Sequence, residues 1–133
     1  MIPAVLISQI QKALQKEPRI LAAYVIGSQV SQKTRPESDF DLAIVVGDKK
    51  LLNEDKIYEL VRHLNFPKDL DLSVVDRSSS PLFLFQIISR GQRIYSSNPS
   101  KVASFEAFVL HYYYDTQHLR DIYYQGLKHK FTS

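Results

Sequence analysis

Cysteine is absent from the 133-residue sequence. That excludes disulfides, thiolate metal sites and a cysteine nucleophile, and it suits a cytosolic setting. Also missing is any run of about 20 apolar residues, the length a helix needs to span a bilayer. The stretch Met1 to Ser8 has no basic region followed by a long apolar segment and a small-residue cleavage site, so no signal peptide is expected. There is no internal repeat and no low-complexity tract. The nearest thing, Ser78-Ser79-Ser80, runs into Pro81 and reads as a helix start. Charge of one sign is scarce as well: 17 Lys and Arg against 14 Asp and Glu leave a net charge of +3. That excess favours an anionic ligand but is too small for a nucleic-acid coat, and no basic groove signature accompanies it, so direct DNA binding is not expected.

What remains is an ordinary globular composition, 44% hydrophobic and 23% charged. Such a chain buries enough apolar surface to offset its entropy, and its length suits one domain, residues 1–133. Leu6, Ile10, Ala13 and Leu14 recur at helical spacing, so 3–16 reads as an amphipathic helix with Pro3 in its first turn and Glu17-Pro18 ending it. The apolar run 20–26, between Pro18 and Gly27, reads as a buried strand, and the polar segment 28–38 as a loop or short irregular helix. Residues 39–46 form a second buried strand. Asn53 is an N-cap for a helix through Ile57, Leu60, Val61 and Leu64 that Phe66-Pro67 stops. Residues 69–75 give a third strand. Ser80 caps a helix beginning at Pro81 and ending at Arg90, with Gly91 as its C-terminal cap. Residues 92–96 are a short strand or extended link, and a last helix runs from about 100 to Gly126. Short strands separated by helices imply a small α/β or α+β domain with one sheet.

Two adjacent features carry chemistry. Gly27-Ser28 closes the first strand, and ten residues then separate Ser28 from Asp39. Asp39 and Asp41 open the second strand and, two apart, share one face. Paired carboxylates resist joint ionisation unless a cation lies between them, and a hard divalent ion such as Mg²⁺, or Mn²⁺, suits oxygen ligands and substrate phosphates. Gly27 lets the backbone approach a phosphate, Ser28 can donate to its oxygens, and Lys33 and Arg35 in the intervening loop can screen triphosphate charge. Phosphoryl transfer with two metal ions calls for a third acid on a neighbouring strand. Asp71, flanked by Leu70 and Leu72, fits best; Asp69 on the same face and Asp76 at the strand end are the alternatives.

The combination of Gly27-Ser28, Asp39-x-Asp41 and a later strand acid, Asp71, resembles the signature of the DNA polymerase beta-like nucleotidyltransferase superfamily. The small size resembles its minimal nucleotidyltransferase branch, which includes MntA-type antitoxins of HEPN-domain RNase toxins (HepT). The resemblance covers residues 18–76 by motif, with the remainder, a helical part at about 80–128, similar only in general shape. It implies a mixed sheet with packed helices and transfer of a nucleoside monophosphate from its triphosphate to a hydroxyl. In the antitoxin branch, AMP from ATP goes to a toxin tyrosine. Carried over, Gly27 and Ser28 bind triphosphate, Asp39, Asp41 and Asp71 hold two Mg²⁺ ions, and Asp71 helps deprotonate the acceptor. Two other readings compete: an antitoxin that neutralises by complex formation alone, and a small-molecule transferase of the aminoglycoside type, for which the chain offers little acceptor pocket.

The last helix has its own pattern. His111, Asp115 and His118 share a face, read as a solvated or partner-facing stripe rather than a metal site. Phe105, Phe108, Val109, Tyr112 and Leu119 fall near one stripe expected to face the core. The other tyrosines of Tyr112-Tyr113-Tyr114 and Tyr123-Tyr124 are left to stack on a base or meet a protein partner. Phe83 and Phe85 are expected to pack.

Overall fold

A computed structural model describes residues 2–27 and 40–132, with side chains to 128. In chain order the elements are α1 (Ala4–Leu14), β1 (Ile20–Ile26), β2 (Phe40–Val46), α2 (Glu54–Val61), β3 (Leu70–Val75), α3 (Pro81–Arg90), β4 (Gln92–Ser96) and α4 (Pro99–Thr132). The strands form one sheet in the order β3-β2-β1-β4. β1 pairs antiparallel with β2 and β4, whereas β2 and β3 run parallel, joined across the sheet by α2. The sheet is therefore mixed, as the resemblance implied.

Apart from Asp41 the two central strands are apolar, because helices cover both faces. On one face α1 and α2 bury Leu6, Ile10, Leu14, Ile57 and Val61 against Val25, Leu42 and Ile44. On the other, α3 and α4 bury Leu84, Ile87, Val102, Phe105 and Val109 against Ala22, Tyr24, Ala43, Val45 and Val75. Alternation along β2 thus sends even-numbered residues to the α1/α2 side and odd-numbered ones to the α3/α4 side.

Several boundaries depart from the sequence reading, each for a local reason. Pro3 is extended (φ −60°, ψ 134°) and precedes α1 instead of opening it. α2 stops at Val61, where the chain tightens through a Leu64 N–H to Val61 carbonyl bond of 3.0 Å. Its Asn53 cap forms as expected, Oδ1 accepting the Lys56 N–H at 3.1 Å. Ser80 caps α3 in the same way, accepting from the Phe83 N–H at 3.5 Å. Gly91 follows α3 but with extended backbone, φ −81°. It is required for closeness instead: a Cβ there would stand 2.4 Å from the Ile87 carbonyl oxygen and 3.2 Å from Tyr24 Cβ. Gly126 does not end the last helix, and α4 continues to Thr132.

The length of α4 explains the fate of its apolar stripe. Phe105 and Val109 are buried, and Phe108 and Tyr112 are half-buried. Farther along, Thr116 to Tyr124 of α4 stand across an open cleft from Ser80 to Leu82 at the start of α3. Leu119, expected in the core, is accordingly exposed (58%). Phe85 packs as expected, its ring stacked on Tyr113 with centroids 3.9 Å apart, whereas Phe83 is 37% exposed.

Candidate active site at one end of the sheet

The strand directions gather three of the sequence-predicted residues at one end of the sheet. β1 ends there and β2 and β3 begin there, so Gly27, Asp41 and Asp71 come together from segments far apart in the chain. Asp41 lies opposite Ile26 on one side and directly opposite Asp71 on the other. Partners in a parallel pair point to the same face, and Asp41 shares parity with Ala43 and Val45, so both carboxylates lie on the α3/α4 side. Asp41 is half-buried and Asp71 exposed.

Gly27 is bound up with Asp41 by geometry. Its φ of +79° is a left-handed conformation that residues with a Cβ rarely adopt. A Cβ at Gly27 would also stand only 2.7 Å from Asp41 Oδ2. The space that glycine leaves open is taken by the carboxylate itself, an arrangement the sequence reading assigned to a phosphate.

Register also separates the candidate third acids. Asp71 is the residue paired with Asp41. Asp69 precedes β3, and its carbonyl accepts the Phe40 N–H at 2.7 Å. Asp76 sits at the far end of β3 with a structural occupation. Its Oδ2 accepts the Lys49 N–H at 2.9 Å, and its Oδ1 accepts from the Ser78 N–H and hydroxyl at 2.8 and 2.6 Å. Burial pushes the Asp76 carboxyl up, but those hydrogen bonds outweigh it and hold the group below its ordinary range. Ser28, Lys33, Arg35 and Asp39 lie outside the described residues. Among the described residues no group of three His, Cys, Asp or Glu converges, and His111, Asp115 and His118 are exposed on α4. The Asp41–Asp71 pair is an all-oxygen, like-charged donor set, which fits a hard divalent cation and not a soft one.

One group near this end escaped the sequence reading. Tyr24, buried in β1 three residues before Gly27, donates its hydroxyl to Glu106 Oε1 of α4 at 2.7 Å. Arg93 of β4 donates to the same oxygen. Burial, then the Glu106 carboxylate, pushes the Tyr24 hydroxyl well above its ordinary value, so it stays protonated and donates. The network ties α4 to the two strands beside the site. No local pattern announces it, because its members are 82 residues apart.

Among the described residues no helix is long and apolar enough to cross a membrane. No curated protein matches the sequence. Among solved structures, the fold is similar to a chain of a doubly substituted, aspartate-to-glutamate mutant of the MntA–HepT toxin–antitoxin. The two share 21% identity over 92% of this chain and 98% of that one, with a TM-score of 0.75. It is similar to a chain of a toxin–antitoxin with AMP-PNP at 22% identity, over 92% and 98%, with a TM-score of 0.74. A chain from the complex of the tri-AMPylated Shewanella oneidensis HEPN toxin with its MNT antitoxin matches at 18% identity, over 93% and 97%, with a TM-score of 0.65. The family model for polymerase beta nucleotidyltransferases matches residues 8–100, well over half of the sequence and all three residues gathered at the sheet end, and the chain belongs to that family.

Proposed function

We propose that this protein is the antitoxin of a HEPN-type RNase toxin and neutralises it by transferring AMP from ATP to a toxin hydroxyl, a tyrosine in the family resemblance. The observation that carries the reading is the in-register Asp41–Asp71 pair beside Gly27. Packing does not call for two carboxylates side by side at a strand end, where they repel each other. The fold shared with chains of a toxin–antitoxin with AMP-PNP and of a tri-AMPylated HEPN toxin with its MNT antitoxin supports the choice of nucleotide and partner.

In this reading Asp39, Asp41 and Asp71 hold Mg²⁺ or Mn²⁺, which when bound neutralises triphosphate charge and eases loss of the acceptor proton. Gly27 and Ser28 line the triphosphate, with Lys33 and Arg35 offsetting its charge. Asp41 occupies the space over Gly27 that a side chain there would take. Asp71, the more exposed acid, takes the proton of the incoming hydroxyl. The acceptor oxygen then bonds to the α-phosphorus, the bond to the bridging β-phosphate oxygen breaks, and pyrophosphate leaves. Localisation in the cytoplasm, where ATP and an RNase target meet, completes the reading.

The test is the intact mass of the toxin encoded beside this gene after incubation with the protein, ATP and Mg²⁺, with Asp41→Asn and Asp71→Asn run alongside. Gains in AMP units with the wild type, absent with both variants, are expected. An unmodified toxin that is nevertheless neutralised by wild type and variants alike would replace transfer with neutralisation by binding.

A further inference from the structure

The opposite end of the sheet holds a second cleft, of about 840 Å³, a size that suits a small organic ligand. It lies between the start of β1, the turn after β2 and the start of α4. Six residue steps along β1 (Ile20–Ile26), at roughly 3.3 Å each, place it about 20 Å from Gly27 and the two carboxylates. It is not an extension of the active site.

The lining divides by chemistry. Pro18, Leu21 and Leu51 make its accessible apolar wall, with the buried side chains of Ile20, Val46 and Leu52 behind them. Around it stand three cations from three different segments, Arg19, Arg77 and Lys101, against the single carboxylate of Asp48. Asp48 Oδ1 accepts the Lys50 N–H at 2.9 Å. Arg19 is bridged to Glu17 at 2.8 and 3.0 Å, so its charge is largely matched. Arg77 and Lys101 differ: among the described residues neither has a carboxylate within 4.0 Å. The Arg77 guanidinium rests 4.6 Å from the centre of the Phe108 ring, which orients the group while leaving its edge N–H donors available. The helix terminus is not the source of attraction here, since Asn98 Oδ1 accepts the Lys101 N–H at 3.2 Å and fills the cap.

Two unmatched cations, one of them already oriented, beside an apolar wall suit a compact anion joined to a flat apolar body. We infer that this cleft is a second ligand site, binding a nucleoside monophosphate. Arg77 and Lys101 hold the phosphate, and the base lies against Pro18, Leu21 and Leu51. Charge-assisted hydrogen bonds of this kind are the stronger class, so losing both changes affinity at least about tenfold.

The probe is AMP, titrated in EDTA into ¹⁵N-labelled full-length protein carrying Asp41→Asn, so that neither metal nor an intact carboxylate pair assists binding at the other end. Amide shifts are expected at Leu21, Gly47, Leu52 and Lys101, and not at Gly27 or Leu72. Lys101→Gln and Arg77→Gln together are expected to weaken binding at least tenfold with unchanged dispersion of the spectrum. Lys101→Gln alone, whose exposed side chain makes no contact the fold uses, is expected to weaken it severalfold. Adenosine and inorganic phosphate are expected to bind more weakly than AMP at the same amides. Shifts confined to the Gly27 end, binding unaffected by either variant, or equal binding of adenosine or of phosphate alone would overturn the assignment.

Discussion

Replacing Gly27 by alanine separates folding from chemistry at the carboxylate end of the sheet. The backbone there has φ +79°, and an L-residue in that region costs about 1–2 kcal/mol. A domain of this kind has a stability of roughly 5–15 kcal/mol, so the variant stays folded at ordinary temperature. The second effect is local. The new Cβ stands 2.7 Å from Asp41 Oδ2, and ordinary contact begins at 3.4 Å, so the carboxylate must retreat by about 0.7 Å. A misplacement approaching 1 Å at a reacting centre costs on the order of 100-fold in rate. Gly27→Ala is therefore expected to unfold in urea with a loss of about 1–2 kcal/mol, and to transfer AMP roughly 100-fold more slowly in single-turnover assays. Asp41→Asn keeps the glycine and the side-chain shape, so it should lose transfer with little change in unfolding. Undiminished transfer by folded Gly27→Ala would refute the claim that the position of Asp41 over the glycine matters to the reaction.

Three further outcomes test the supporting structure. Glu106→Ala leaves the buried Tyr24 hydroxyl without its acceptor, which costs about 1–3 kcal/mol, whereas Tyr24→Phe leaves Glu106 still paired with Arg93 and costs about 0.5–1.5 kcal/mol; urea midpoints in the reverse order would refute this account. Asp76 has a folded pKa below the 3.8 of the free group, so its contribution is fully present above that pH and is lost as pH falls through the folded value. Asp76→Asn should therefore flatten the acid side of the stability–pH profile below about pH 4, and an unchanged acid slope would count against the turn network. Gly126→Ala in α4 meets nothing within 4 Å and should raise helicity and stability by about 0.4–1 kcal/mol, read by circular dichroism on heating.

Elements with a one-dimensional signal were legible in the sequence. Leu6, Ile10, Ala13 and Leu14 repeat at the helical period, and all are buried on α1. Asn53 and Ser80 were readable as caps because the bond each makes reaches only three residues ahead. Where a residue's role depends on something distant, the pattern misleads. Leu119 has the spacing of a core position, but the start of α3 meets it only across an open cleft and leaves it exposed. Gly91 and Gly126 look alike in sequence as helix stops. One is held by the proximity of Tyr24, and the other lies in open space within a continuing helix.

The same distinction governs the candidate site. Asp-x-Asp and Gly-Ser are local, so Gly27, Asp39 and Asp41 could be named without a structure. Among Asp69, Asp71 and Asp76, which lie within one short strand or at its ends, the flanking Leu70 and Leu72 favour Asp71 in the sequence, but spacing says nothing of what each acid faces. Pairing distinguishes them in space: the parallel register sets Asp71 beside Asp41, while the hydrogen bonds of Asp76 commit it to a turn at the other end. The Tyr24–Glu106–Arg93 network and the cationic cleft lie further still from local reading, because each joins segments that only the sheet order brings together. The strand order β3-β2-β1-β4 puts the Asp41–Asp71 pair where β1 ends and the cleft of Arg77 and Lys101 where it begins. That separation makes the two ends separately testable: substitutions at Asp41 or Asp71 should leave AMP binding at the far cleft intact, and substitutions at Arg77 or Lys101 should leave the carboxylate pair in register.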